Sequence, residues 1–156
     1  MTTELIPYQE LSRNALDFFQ MRTLLPVQVW PRLGRDLHLI EEEDGQPGSL
    51  LFVCHTDRSM SNPMGIVHGG ITASLVDTCM GVTCAVQCGN HVTPTITMTV
   101  NYARPIPLDA DIHVRTRIVR CGATSGQITS EVFLAGRPEE VLVTASGVYS
   151  IKRPRP

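Results

Sequence analysis

The 156-residue sequence contains little charge and few aromatic side chains. Charged residues make up 18% of the chain, against about a quarter in an ordinary protein, and the high share of hydrophobic residues excludes disorder. The formal net charge of −2 gives no electrostatic reason to expect nucleic acid or an anionic membrane as a partner. The length fits one compact domain. A chain with so little charge is expected to hide part of its surface in an oligomer.

Signals for export, for a membrane span and for a disulfide framework are also missing. The N-terminal stretch MTTELIPYQELSRN has neither the basic nor the apolar region of a signal peptide. The five cysteines are odd in number and form no CxxC pair, which predicts reduced thiols in a cytoplasmic protein. Cys84, Cys88 and His91 could share one helical face as metal ligands, but three residues are too few for a closed site. We expect buried thiols and no metal.

Apolar side chains recur every three or four residues over 10–25, which predicts an amphipathic N-terminal helix with Ser12 as its cap. We therefore distinguish an N-terminal helical segment, 1–26, from the body of the protein, 27–156, within one domain overall. The body begins with a strand, a turn and a second strand, the latter carrying the sequence GSLLFVCHT.

The rest of the chain predicts one buried helix and a sheet. Residues 70–87 have apolar or small side chains on every side, which indicates a helix wrapped by other structure. Apolar and polar residues then alternate in four runs that are joined by short connections, which predicts an antiparallel meander over 95–103, 110–119, 125–135 and 140–151. The first run places Thr95, Thr97 and Thr99 on one face. The fold class is therefore α+β, with the helix against the concave face of the sheet.

One carboxylate interrupts the longest stretch without charge. Residues 59–103 contain a single Asp, Glu, Lys or Arg, which is Asp77 in the middle of the predicted buried helix. Burying an ionised carboxylate costs several kcal/mol unless it is paired or hydrogen-bonded. Asp77 therefore either faces an aqueous cavity or is satisfied by another element, and strongly perturbed carboxylates cluster at functional sites.

A second feature lies at the start of the same helix. Gly69 and Gly70 leave the first backbone N–H groups unshielded at the positive end of the helix dipole, where they can hold a phosphate or polarise a carbonyl oxygen. Asp77 is eight residues beyond Gly69, roughly 12 Å along the axis at 1.5 Å per residue. One chain cannot bring both groups to one reacting carbonyl. Two such helices packed antiparallel about a two-fold axis would do so, at two equivalent sites per dimer.

The stretch NPMGIVHGGITASLVDT, followed by TPTITMTVNYARPIP, resembles the hotdog-fold acyl-CoA thioesterases of the PaaI type. The motif of that family is an Asn or Gln, then HGG, then an acidic residue nine positions after the His. Asn62, His68, Gly69, Gly70 and Asp77 stand in this register without a gap.

The resemblance, which covers about residues 48–151, implies a hotdog fold, a long central helix wrapped by a curved antiparallel β-sheet. It also implies dimers whose sheets join, and these dimers commonly assemble into tetramers. The implied activity is hydrolysis of an acyl-CoA to a free acid and CoA, with no cofactor beyond the CoA of the substrate. By resemblance, the Gly69 N–H polarises the thioester carbonyl. Asp77 of the partner chain acts as general base or nucleophile, and Asn62 helps to hold the carbonyl or the attacking water.

Other residues receive roles from the same resemblance. Thr95 matches a hydroxyl residue that assists the water in some members, while His68 orients the substrate-binding turn that also contains Gly70. Arg120, with Ser125, matches a turn that contributes to the nucleotide site of CoA, whereas Arg115 and Arg117 fit a solvated strand face equally well. Related members with Glu at the acidic site carry a Thr one helical turn later, where this sequence has Gly81.

Two other functions stay open at this point. Hotdog folds also host acyl-CoA dehydratases and hydratases, for which His68 and Asp77 would have to serve together as acid and base. A non-catalytic acyl-CoA-binding hotdog protein is the second alternative, and the isolated Asp77 disfavours it. The sequence does not identify the acyl group, whose pocket we expect to be lined by the helix and by the N-terminal segment with Phe18 and Phe19. Motifs of a serine triad, a P-loop or a dinucleotide site are absent.

Overall fold

The computed structural model describes residues 4–22, 37–40, 42 and 45–152. Its helices are α1 (Tyr8–Arg22) and α2 (Gly69–Gln87), with a short 3-10 helix at Arg58–Met60. Its strands are β1 (Leu37–Ile40), β2 (Ser49–His55), β3 (Thr95–Tyr102), β4 (Asp111–Cys121), β5 (Ser125–Leu134) and β6 (Val141–Ser150). The predicted α+β class is confirmed.

The six strands form one antiparallel sheet in the order β1–β2–β4–β5–β6–β3. The predicted pairing of the first two strands is confirmed over 37–40, and residues 27–36 lie outside the described part of the chain. The predicted four-stranded meander is wrong for its first strand, β3, which was expected to lie beside β4. β4, β5 and β6 do follow one another in space, but β3 pairs with β6 at the edge of the sheet.

Two prolines explain why the chain crosses the sheet after β3 instead of turning back. Pro105 and Pro107 have no N–H to contribute to a ladder, and their fixed φ angles do not suit a tight hairpin. The carbonyls of Ile106 and Ala110 instead accept hydrogen bonds from backbone N–H groups of the segment between β2 and α2. These bonds hold the crossing segment, so β4 begins beside β2.

Helix α2 lies against the sheet and contacts β2 through β6, which confirms the predicted wrapped helix. In the core, the hydroxyl oxygens of Thr83 and of Thr116 on β4 are 2.7 Å apart. Gly126 of β5 approaches the helix so closely that a methyl group there would lie 2.7 Å from the Cys84 sulfur. By length and mean hydropathy alone α2 could cross a membrane, but 56% of its apolar stretch is buried inside the fold, as is usual for a core helix.

Helix α1 packs against α2 and begins earlier than the sequence pattern indicates. It starts at Tyr8, directly after Pro7, whose carbonyl accepts from the Leu11 N–H. The predicted cap Ser12 is therefore wrong, because Ser12 is buried within the helix. Pro7 therefore occupies the N-cap position, where the backbone carbonyl accepts the first bond of the helix. The side chains of Phe18 and Phe19, which we expected near the acyl pocket, lie outside the described part.

The five cysteines are all buried thiols. The sulfur of Cys88 lies 3.0 Å from that of Cys121 on β4, so Cys88 packs toward the sheet. Among the residues that the structure describes, no group of three or more His, Cys, Asp or Glu side chains is placed to hold a metal ion.

Helix α2 begins at Gly69 because His68 caps it. The His68 residue has extended backbone angles, and its Nδ1 accepts a hydrogen bond of 2.9 Å from the Gly70 N–H. A side-chain acceptor at this position satisfies one of the first backbone donors of a helix, which otherwise have no partner. A Cβ at Gly70 would lie 3.1 Å from the same nitrogen, so the glycine lets the imidazole approach its N–H.

Replacement of the cap tests this interpretation of the helix start. We expect His68→Ala to lower the free energy of unfolding by about 1 kcal/mol, because the Gly70 N–H loses its acceptor. His68→Asn should retain most of the stability, since Asn is among the best N-cap residues. Chemical denaturation of the three proteins at one protein concentration measures the difference. Equal stability of the Ala and Asn variants would show that the cap contributes nothing.

Candidate active site

The carboxylate of Asp77 is held by hydroxyl groups from the sheet. Asp77 is half-buried on α2, and its Oδ1 accepts a 2.8 Å hydrogen bond from Thr95 Oγ1 of β3 and a 2.9 Å bond from the hydroxyl of Tyr149 on β6. Both donors bind the same oxygen. Within the described part of the chain, no side chain donates to Oδ2. The buried helix therefore presents one fixed carboxylate with one oxygen available for chemistry.

A β-bulge brings Thr95 to this carboxylate. Thr95 pairs with Tyr149 and Thr97 with Val148, so two steps along β3 match one step along β6. Such a bulge turns the side chains before it to the other face of the sheet. The prediction that Thr95 shares a face with Thr97 and Thr99 is therefore wrong. Thr95 faces the helix, whereas the other two line a groove on the outer face.

Two tyrosines, which no sequence pattern singles out, lie at the site. Tyr149 is 1% exposed and donates to Asp77, and Tyr102 donates a 2.8 Å hydrogen bond to the carbonyl oxygen of Gly69. Both stand at apolar positions of alternating strands, a pattern that alone indicates only which face of the strand they occupy. A buried tyrosine hydroxyl needs a hydrogen-bond partner, so a tyrosine facing a helix with a single carboxylate was a usable signal.

Asn62 and Gly69 lie together on a cavity at the start of α2. The cavity has a volume of about 330 Å³ and is also lined by Tyr102 and by the crossing segment after β3. The Asn62 Oδ1 accepts from the Met64 N–H at 2.9 Å and so holds the turn before the helix. Its amide N–H groups are the donors left to contact a ligand. The Gly69 N–H has no acceptor within the helix, because it is the first residue.

The structure separates the predicted site residues of one chain into two groups. Asn62, His68, Gly69 and Gly70 lie at the N-terminal end of α2, and Asp77 with its donors lies two turns further along. The distance between Gly69 and Asp77 along the helix axis is about 12 Å. A thioester carbonyl that reaches one group of a chain therefore cannot reach the other.

Arg120 and Ser125 lie away from both groups. Arg120 is exposed and is paired across the sheet with Gln127, which is paired in turn with Val148. Paired residues of neighbouring strands share a face, so the Arg120 side chain lies with that of Val148 on the outer face of the sheet. Ser125 begins β5 on the same face. Arg115, in contrast, forms a 2.7 Å ion pair with Glu42 and stacks on the Phe133 ring. In the described part of the chain Arg120 forms no ion pair.

Comparisons with known proteins agree with this fold and this motif. The model of the thioesterase superfamily matches residues 64–141, half of the chain, which includes α2, β3, β4 and β5. Human acyl-coenzyme A thioesterase 13 is 30% identical over 80 residues, which are 50% of this chain. The match spans little more than half of that relative, 56% of its length.

Solved structures show the same fold at low sequence identity. The Escherichia coli PaaI protein from the phenylacetic acid degradation operon superposes with a TM-score of 0.75 at 17% identity, over 92% of this chain and 96% of that chain. A hypothetical thioesterase from Streptococcus pneumoniae, solved with coenzyme A, superposes with a TM-score of 0.66 at 17% identity, over 79% and 94% of the two chains. The predicted hotdog fold is confirmed. With the family model matched across its central helix and sheet, this chain belongs to the thioesterase superfamily.

Proposed function

We propose that this protein hydrolyses an acyl-CoA thioester to a free acid and CoA. The observation that carries the proposal is the single Asp77 carboxylate, which two hydroxyl donors hold by one oxygen in an apolar helix. The human relative is named an acyl-coenzyme A thioesterase, and related hotdog structures from streptococci were solved with coenzyme A and with acetyl-CoA. These relatives support CoA esters as the substrate class.

The Gly69 N–H is the proposed donor to the thioester carbonyl. It is free of intrahelical bonds and lies at the positive end of α2. In attack on a thioester, negative charge develops on the carbonyl oxygen, and a fixed backbone donor stabilises that charge without reorganising. Asn62 borders the same cavity, so its amide can hold the carbonyl or the attacking water.

Asp77 supplies the proton transfer or the covalent step. As general base, its Oδ2 takes a proton from water while the oxygen of that water bonds to the carbonyl carbon. The carbon–sulfur bond then breaks, the CoA thiolate leaves, and the proton held by Asp77 passes to the sulfur. As nucleophile, the same oxygen bonds to the carbonyl carbon, the carbon–sulfur bond breaks and CoA leaves as the thiolate. Water then hydrolyses the acyl anhydride, which releases the free acid, restores the Asp77 carboxylate and provides the proton that the CoA thiolate takes up. Thr95, which donates to the other oxygen, is placed to orient the carboxylate in either mechanism.

A homodimer is part of the proposal, because one chain keeps Gly69 and Asp77 too far apart. Antiparallel packing of two α2 helices would bring Gly69 of one protomer to Asp77 of its partner and create two equivalent sites. Dimers of this kind can pair further into a tetramer. We place the working protein in the cytoplasm, in line with its reduced cysteines.

Arg120 and Ser125 are the proposed anchor for the CoA phosphates. Arg120 is exposed and free of ion pairs in the described part of the chain, and guanidinium suits bidentate phosphate binding. Arg120 lies on the outer face of the sheet and Asp77 on the helix side, so the proposal takes the Arg120 that anchors a substrate from a different protomer than the Asp77 that acts on it.

Removal of the carboxylate tests the proposed chemistry. We expect Asp77→Asn and Asp77→Ala to lower kcat for CoA release by at least about a hundredfold, the contribution of a positioned base or nucleophile, while the oligomer stays intact. Asp111→Asn is the matched control, since that carboxylate pairs with His55 at the surface. Free-thiol release over a panel of acyl-CoA substrates and size-exclusion chromatography provide the two measurements. Full activity of both Asp77 variants would contradict the proposal.

Mixing of inactive chains tests the shared site. Neither Asp77→Asn nor Gly69→Val homodimers should turn over, but in a heterodimer one of the two sites contains neither substitution. An equal mixture after subunit exchange should therefore recover about a quarter of wild-type activity, because half of the dimers are mixed and each has one intact site. Native mass spectrometry confirms the exchange. Demonstrated heterodimers without activity would place the site within one chain.

The CoA anchor has its own test. We expect Arg120→Ala to raise KM for an acyl-CoA about tenfold with little change in kcat, because one charge-assisted contact to phosphate is lost. Added salt should shrink this difference. The control is Arg117→Ala, an exposed arginine on the same strand. Equal KM values for the two variants would contradict a specific role for Arg120.

A further inference from the structure

Tyr149 is the largest fully buried side chain of the protein's described residues, yet it ends in a hydroxyl. That hydroxyl donates to Asp77 Oδ1 at 2.9 Å and lies 3.3 Å from the Asp77 carbonyl oxygen. The tyrosine stands on β6 in register with Thr95. The sheet therefore presents two hydroxyl groups side by side to the same carboxylate oxygen.

Gly147 leaves the space in which the Tyr149 ring lies, and Gly81 of the helix lies on the other side of the ring at an ordinary contact distance. A methyl group at Gly147, two residues earlier on β6, would lie 2.8 Å from Cε2 of the ring. At Gly81, one helical turn after Asp77, a methyl group would lie 3.6 Å from Cε1. The ring is thus packed between the helix backbone and its own strand. Its hydroxyl has little freedom to leave Asp77.

The surroundings of Tyr149 keep its hydroxyl protonated, so that it remains a hydrogen-bond donor. Burial, and next the charge of Asp77, raise the pKa of Tyr149 far above its ordinary value. The phenol therefore stays protonated wherever the carboxylate is ionised. A hydrogen bond donated to a carboxylate favours the ionised form, which is the form that a general base or a nucleophile requires.

We propose that Tyr149 is a positioning residue that, together with Thr95, clamps Oδ1 of Asp77 and leaves Oδ2 as the reacting oxygen. The inference rests on the proposed thioester hydrolysis and adds a residue that the HGG motif does not contain. Tyr149 acts through Asp77 and does not itself contact the substrate.

Tyr149→Phe removes the hydroxyl and retains the packed ring. We expect kcat for CoA release to fall about ten- to a hundredfold, the loss that follows from one hydrogen bond to a charged group. KM should stay within about twofold, because binding of CoA does not involve the clamp.

The matched control is Tyr8→Phe. Tyr8 is also buried, and its hydroxyl donates to the Ile40 carbonyl and accepts from the Glu42 N–H, away from Asp77. This variant should lose stability but keep the wild-type kcat. A second variant, Gly147→Ala, keeps the hydroxyl but forces the ring to shift. We expect it to lower kcat as well, with CoA-ester KM unchanged.

The results separate the two proposals. Activity that is lost in Asp77→Asn but unchanged in both Tyr149→Phe and Gly147→Ala overturns the clamp alone. A kcat loss of equal size in Tyr8→Phe also overturns it, since the effect would then be one of stability. A wild-type protein that releases no CoA from any acyl-CoA overturns the clamp together with the proposed function.

Discussion

The hydrogen bonds that the sheet donates to the Asp77 carboxylate are the interaction on which the rest of the structure depends. An ionised carboxylate in a core helix destabilises a fold by several kcal/mol when it has no partner. Here Thr95 and Tyr149 supply the partners from two neighbouring strands. Helix and sheet are therefore joined here by polar contacts, as they also are at Thr83 and Thr116, in a core that is otherwise mostly apolar.

Several local features follow from this contact. The bulge in β3 turns Thr95 toward the helix, and Gly147 leaves the volume that the Tyr149 ring fills. At the N-terminus of the helix, His68 uses its Nδ1 as a cap, and the Gly69 N–H stays unbonded within the helix. The bulge interrupts the regular pairing of β3, and the glycine leaves out a side chain that could otherwise pack there. Together these features present a carboxylate oxygen and a backbone donor about 12 Å apart on one helix.

Sequence patterns predicted the parts of the fold that local physics determines. The all-round apolar composition of 70–87 predicted a wrapped helix, and alternation located the strands. Alternation does not reveal which strand is the neighbour, so β3 was placed beside β4 although the prolines after it send the chain across the sheet. The cap of α1 was misplaced for a related reason, because Ser12 and Pro7 are both plausible starts and only packing decides between them.

The candidate site, like the fold, could be predicted only where a local sequence pattern marks it. Asp77 stood out because the surrounding 45 residues contain no other charge. Thr95 was assigned to the wrong face, because a bulge adds one residue without a clear mark in the sequence. Tyr149 went unnoticed because its partner is 72 residues away in the chain. Contacts of this length come from the tertiary fold and not from periodicity.

A crystal structure of the Asp77→Asn variant with a bound acyl-CoA would examine this arrangement at the atoms that react. The thioester carbonyl oxygen should lie about 3 Å from the Gly69 nitrogen of one protomer, within hydrogen-bond range. The carbonyl carbon should face the side chain at position 77 of the partner protomer, with Tyr149 still bonded to the other atom of that side chain. A thioester bound within one chain, or one that lies away from both groups, would contradict the shared site and the role of the carboxylate.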